Sequence, residues 1–209
     1  MSGFSDEERR EVEERLVRTG RELFTRYGFQ KTTIEDITDS VGIGEGTFYR
    51  FFEGKSSLYV RVLVREQDEV IDAVETELDG LVDPAEQLDG LLRTWVAEFE
   101  QRPLLLRSHR APDRILRSVD GLEATELRGS VSERMTPLVA NIQERSDGYI
   151  TEIRPEAVFE LLSLLEIVAA NRDAHDELGW SGYDEFKEIV ITVLKRGLLW
   201  EPGSVSGST

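Results

Sequence analysis

An all-α chain is predicted, with a three-helix N-terminal unit followed by a larger helical body. Three observations carry this. Apolar residues recur at three- and four-residue spacing along most of the chain. No stretch shows the period-two alternation of a half-buried strand. Glycine and proline stand where successive helices would end or begin. At 209 residues the chain can hold one large domain, or a small one with a larger companion. The boundaries expected are 1–54 for the first domain, 55–202 for the second and 203–209 for a flexible tail.

Residues 5–27 read as the first helix. Val12, Leu16, Leu23 and Phe24 form its apolar stripe, Gly28 supplies the stop, and Gly20 inside it costs about 1 kcal/mol against alanine. Thr32 and Glu35 then have the spacing of a capping box, ahead of a short helix burying Ile34, Ile37 and Val41. Gly42 falls where that helix must reverse, because glycine alone enters the left-handed region without a steric penalty. Gly44 to Arg50 restarts as a helix too short and polar to stand by propensity, so Phe48 and Phe51 are expected to anchor it. Lys55 to Leu78 runs unbroken through Leu58, Val62, Val70 and Val74 and stops at Asp79-Gly80. Pro84 opens a helix carrying Leu88, Leu91, Leu92, Trp95 and Phe99.

Further on, Gln101 to Ser118 is broken by Pro103 and Pro112, and Gly121 precedes a helical stretch to about Arg145, bent or split at Pro137. Ser146-Asp147-Gly148 is a turn, and 155–171 and 182–199 are the last two helices. Both are apolar on more than one face. Such helices must be buried on more than one face, and the second burial is expected against another copy of the chain. Phe159, Leu162, Leu165, Ile189 and Val193 are the candidates for that homodimer interface.

Two short helices about a glycine-bearing turn form a helix-turn-helix, whose second helix enters the DNA major groove. The residues Phe24, Tyr27-Gly28-Phe29, Thr32-Thr33, Ile34, Ile37, Gly42-Ile43, Gly46-Thr47-Phe48-Tyr49, Phe52 and Lys55 stand in a fixed order. Over Arg15 to Leu58 this order resembles the DNA-binding domain of the tetracycline-repressor (TetR) family of regulators. The resemblance implies close helix packing at Gly20, a four-helix dimer interface, and a body domain that binds an inducer. It implies a repressor that binds a palindromic operator as a homodimer and is released by a small molecule. An effector would tilt the long helix from Lys55 and change the spacing of the two recognition helices. The alternative is a DNA-binding helical scaffold without a small-molecule sensor, regulated by a protein partner or by salt.

For DNA, Glu45, Gly46, Thr47, Tyr49 and Arg50 are expected to face outward and Phe48 inward. Arg50 has the fork that matches guanine O6 and N7, whereas Glu45 either accepts from cytosine N4 or faces solvent. Thr33, Thr47 and Tyr49 offer hydroxyls to phosphates, and the resemblance assigns the tyrosine and Lys55 to the backbone. Lys55 also begins a helix, where the dipole favours an anion, and Lys31 is a further candidate. In the body, Arg102, Arg107, Arg110, Arg114 and Arg117 with His109 lie in a stretch whose sole acid is Asp113. Arg107, His109 and Arg110 could form the mouth for an anionic effector, with Trp95 and Phe99 lining an apolar pocket; the plainer reading pairs these arginines with surface acids. His175 beside Asp173 and Asp176 could hold a metal, but two carboxylates at a loop end are ordinarily just solvated.

Composition narrows the classes. With no cysteine, disulfides and thiolate chemistry are excluded, and no cofactor is expected. No apolar run has transmembrane length and the N-terminus is polar and acidic, so a soluble cytoplasmic protein is expected, with no membrane partner. The net charge is −17; residues 1–55 hold nine Lys/Arg against twelve Asp/Glu, a net −3, and the rest sixteen against thirty, a net −14. Six of the first twelve acids precede Arg15, in a leader expected to point away from DNA. Lysine is scarce, four residues against 21 arginines. An enzyme is not expected. Gly42-x-Gly44-x-Gly46 follows a helix rather than a strand, Gly54-Lys55-Ser56 has Tyr49 where a phosphate loop needs glycine, and neither G-x-S-x-G nor H-E-x-x-H occurs.

Overall fold

The computed structural model describes residues 5–110, 121–178 and 182–201, without the side chains of 109, 110, 121–128, 130, 176 and 178. Among these residues there are ten α-helices and no strand: α1 (Asp6–Tyr27), α2 (Ile34–Val41), α3 (Glu45–Phe48), α4 (Lys55–Leu78), α5 (Pro84–Glu100), α6 (Pro103–Arg110), α7 (Gly121–Glu144), α8 (Pro155–Ala170), α9 (Arg172–Leu178) and α10 (Tyr183–Leu198). The expected 203–209 tail lies outside the described residues.

Two compact units divide inside α4, after Gln67. The expected boundary was Lys55. The later division follows from what the first half of α4 packs against. Gly20 lets α1 approach so closely that a Cβ there would stand 3.1 Å from Leu58 Cδ2. Phe24 and Phe29 meet Tyr59 edge-on, each at 5.2 Å between centroids. Arg21 Nε donates to the buried Glu66 at 2.8 Å. Leu16, Phe24, Ile37, Phe48 and Leu58 are wholly buried and make up the core of this unit.

Ser5 and Glu8 form a reciprocal capping box that starts α1, the S-x-x-E pattern at its N-terminus. The α2 box is Thr33 with Asp36, one residue later than Thr32 with Glu35. Thr32 cannot cap because it is buried against the end of α1, its hydroxyl donating to the Gly28 carbonyl at 3.0 Å. Gly42 ends α2 in the left-handed conformation, φ 77°, as required for the reversal.

In the second unit α5, α8 and α10 pack on one another, and α6 on α8. Leu88, Leu91, Leu92, Val158, Leu162 and Leu165 are fully buried there. Trp95 stacks near Phe99 at 5.2 Å and its indole N–H donates to the buried Glu166 at 3.1 Å, joining α5 to α8. Asp89 accepts from Arg93 (2.7 Å) and Lys195 (2.9 Å), and Arg93 reaches Glu188 (2.7 Å), lacing α5 to α10. Burial alone would raise the Asp89 carboxyl, but the bonds from Lys195 and Arg93 hold it below the ordinary carboxylate value. Arg134 on α7 bonds Asp72 and Glu75 on α4, each at 2.6 Å.

Several local expectations are corrected. Of the two expectations at Pro137, bent or split, the split does not occur, since one helix runs through it. Tyr149–Glu152 is a 3-10 turn and α9 a short helix, neither expected. Gly148 is buried against the C-terminal end of α10. A Cβ there would lie 2.7 Å from backbone atoms of Leu198 and Leu199, and the adjacent Tyr149 N–H donates to the Trp200 carbonyl at 2.8 Å.

Candidate nucleic-acid interface

The interface is built by α2, the turn at Gly42 and α3. Only four residues long, and with no side-chain cap at Gly44, α3 has no stability of its own. Phe48 holds it, wholly buried and 5.8 Å from the ring of Phe52. The expected second anchor, Phe51, is half-buried instead and lies beneath the Arg9 guanidinium at 5.1 Å. Phe52 takes the anchoring role, because the chain winds in turns after Phe48 and brings the later ring inward.

With Phe48 inward, Glu45, Gly46, Tyr49 and Arg50 are exposed and Thr47 half-exposed. The Tyr49 ring stands edge-on to Phe48 at 5.5 Å, which orients it. Lys31 and Thr33 are exposed at the start of α2. The Thr33 hydroxyl is bonded to Asp36 (2.6 Å), so that side chain already serves the cap. These bonds from Thr33 hold the Asp36 carboxyl below its ordinary value.

Lys55 is turned inward. Its ammonium donates to the carbonyls of Phe29 (2.8 Å) and Thr32 (2.6 Å) and sits 4.4 Å from the Phe29 ring centre. Burial pushes its pKa down, opposed by the nearby Asp36 charge. Lys55 thus ties the start of α4 to the α1–α2 link, a role that no local motif announces. Arg9 Nη2 donates to the Arg50 carbonyl at 3.4 Å, bringing the start of α1 beside the end of α3.

Residues 16–62 match the family model described as bacterial regulatory proteins, tetR family. That segment is of the TetR type. It holds every candidate DNA contact named above. Among characterised relatives, the HTH-type transcriptional repressor KstR2 of Mycolicibacterium smegmatis is 33% identical over 85 residues, which cover 41% of this chain and 40% of that protein. The HTH-type transcriptional regulator TcmR of Streptomyces glaucescens is 27% identical over 149 residues, 70% of this chain and 65% of that one. The chain therefore spans less than two thirds of either relative's length. The TetR fold extends beyond the matched segment. The fatty acid degradation regulator FadR from Bacillus halodurans superposes with a TM-score of 0.66 at 12% identity, covering 99% of this chain and 100% of that one. A TetR/AcrR-family regulator from Thermobifida fusca gives 0.64 at 19% identity, covering 90% and 98%. These relatives are named as transcriptional regulators.

The remaining site expectations fare unevenly. Leu162 and Leu165, expected at the dimer interface, are buried in the protomer's own core. An all-apolar α8 must turn one face inward, and it is theirs. Leu164 and Ile167 on α8, with Ile189 and Val193 on α10, are the large apolar side chains left outside, at 45, 56, 50 and 63% exposure. Phe159 is half-buried. Trp95 and Phe99 are core residues, and a cleft meets the arginine stretch elsewhere, beside Arg107. Arg102 is buried and paired with Glu98, and lies 3.5 Å from Glu69. The side chains of His109 and Arg110, and Arg114 and Arg117 altogether, lie outside the described residues. His175 stacks on Phe186 at 4.4 Å, and no metal-binding cluster occurs among the described residues. No described helix is long and apolar enough to cross a membrane.

Proposed function

We propose that this protein is a transcriptional repressor that binds a palindromic operator as a homodimer and is released by a small molecule. The observation that carries the DNA reading is the α3 surface. Its only anchored side chain faces inward, so that Glu45, Tyr49 and Arg50 are left to solvent on a TetR-type segment. Arg50 is the candidate base reader, and Lys31, Thr47 and Tyr49 are the candidate phosphate contacts. Lys55 spends two of its three donors on carbonyls, leaving one N–H for a phosphate. The homodimer reading rests on Leu164, Ile167, Ile189 and Val193, spaced three and four apart on two helices that pack together. Release by a small molecule requires that the ligand prefer the conformation that fits DNA poorly, and DNA must then weaken the ligand by the same factor. A sensorless scaffold would have a filled body. The open cleft beside Arg107 favours a sensor.

The test is selection of bound duplexes from a random pool, followed by titration at several salt concentrations. A palindromic sequence is expected, with affinity falling steeply as salt rises. Arg50→Ala is expected to relax preference at one base pair per half-site by about 1–3 kcal/mol while leaving the rest of the site intact. No enriched sequence at any salt would overturn the reading.

A further inference from the structure

The second unit contains a cleft of about 420 Å³ between the end of α5, the start of α6, the end of α8 and the start of α9. Its floor is Pro103, Leu106, Ala169 and Ala170, apolar and shallow because two of the four side chains are single methyl groups. Its rim is charged, carrying Arg107 and Arg172 together with Glu100 and Asp173.

The charge balance of that rim decides what it can hold. Glu100 is already spent. It accepts from Tyr183 Oη at 2.5 Å and from Lys187 Nζ at 2.9 Å. The phenol stays protonated as a donor, since burial and the Glu100 charge both push its pKa well up. Arg172 places its guanidinium 5.3 Å from the centre of the Tyr183 ring, and its N–H donors have no hydrogen bond among the described residues. Arg107 is exposed and carries no ion pair among the described residues. Two guanidiniums therefore face one carboxylate with no cation of its own, Asp173, and the rim has an excess of positive charge. That excess is set in a segment of net charge −14.

We infer that this cleft binds a small organic carboxylate with a short apolar body, its carboxylate held by Arg107 and Arg172. The guanidinium fork matches a carboxylate in two parallel hydrogen bonds, a geometry that a lysine could not supply. The apolar floor takes the body of the ligand. At 420 Å³ the cleft stands near the lower end of small-molecule sites, which run from about 300 to 1,000 Å³, so the ligand is compact. Long local windows of sequence could not show this pair, because Arg107 and Arg172 come together only through the fold. The inference rests on the regulator reading for its consequence, release from DNA, but not for the binding itself.

The experiment is titration calorimetry of the full chain with hexanoate and benzoate, their uncharged amides, and inorganic phosphate. The same preparation is assayed for operator binding. Saturable binding of at least one carboxylate is expected. The matching amide and phosphate should each bind about tenfold more weakly or less, the amide for want of charge and the phosphate for want of an apolar body. Arg107→Gln and Arg172→Gln should each lower carboxylate affinity about tenfold or more. Both residues are exposed, so unchanged circular dichroism and melting would show that the loss is not unfolding. Ala170→Leu, which fills the floor, should lower affinity for benzoate as well. Absence of carboxylate binding at millimolar concentration, or equal binding of acid and amide, would overturn the inference. If operator binding persists in that preparation, the cleft assignment fails alone. If a carboxylate binds but no operator is ever selected, the regulator reading fails and the cleft stands.

Discussion

Replacing Ile189 and Val193 together with aspartate is expected to yield a folded monomer whose affinity for the full operator is roughly a hundredfold lower. The physical reason lies in where the two residues point. At 50 and 63% exposure they contribute little to the protomer's own core, and exposed substitutions ordinarily change stability by no more than about 0.5 kcal/mol. In a dimer the same side chains would be buried, and carboxylates introduced there would have to be desolvated at the interface. Losing the dimer removes the linkage of two half-sites, which is worth about a hundredfold or more through effective concentration alone. Sedimentation equilibrium would report the mass, and anisotropy on full and half operators the affinities. A variant that remains dimeric would locate the interface elsewhere, and a wild type that is monomeric at high concentration would overturn the homodimer. As a contrast, Leu162→Asp buries a charge in the protomer and should abolish folding of the second unit outright.

Phe48→Ala is expected to cost about 3–5 kcal/mol in the first unit and to eliminate operator binding. No other position in α3 can compensate. The helix has four residues, no side-chain cap and a single buried side chain. Because removing that ring leaves a cavity beside Phe52, the outward residues lose the platform that aims them. Phe48→Leu, which keeps most of the apolar volume, should retain sequence-specific binding at reduced stability. Thermal melting monitored by circular dichroism, alongside duplex titration, separates the two variants. Wild-type affinity in Phe48→Ala would show that α3 is held by something other than its aromatic anchor.

Elements bounded by strong local chemistry were legible before folding was considered. The helix Lys55–Leu78 and the start at Pro84 agree with the expected bounds, because Asp79-Gly80 and Pro84 have few other uses at those places. The α2 cap was misplaced by one residue because Thr32 and Thr33 stand side by side, each with an acid three residues on. Burial of Thr32 against α1 decides between them, and burial is a tertiary fact. The inner and outer faces of α8 were illegible for a different reason. When Leu161, Leu162, Leu164 and Leu165 are all apolar, periodicity carries no phase. The rim of the cleft was half visible. The arginine stretch drew notice, but its members divide between an ion pair at Arg102 and an open site at Arg107, a division made by Glu98 and Glu69. The two inward bonds of the Lys55 ammonium were not legible, since its carbonyl partners are backbone groups that any sequence would supply.

The scarcity of lysine has a practical side once the partners of each amine are known. Lys187 and Lys195 are held by carboxylates, and Lys55 is pressed between two carbonyls and a ring. Lys31 alone among the four is exposed without a hydrogen bond or ion pair among the described residues. Once the α-amine is blocked, acylation with a limiting quantity of an amine-reactive dye will therefore favour Lys31 among the lysines, two residues from the α2 cap. The fluorophore would stand at the edge of the surface offered to DNA, and its emission would follow occupancy without any engineered cysteine in a chain that has none.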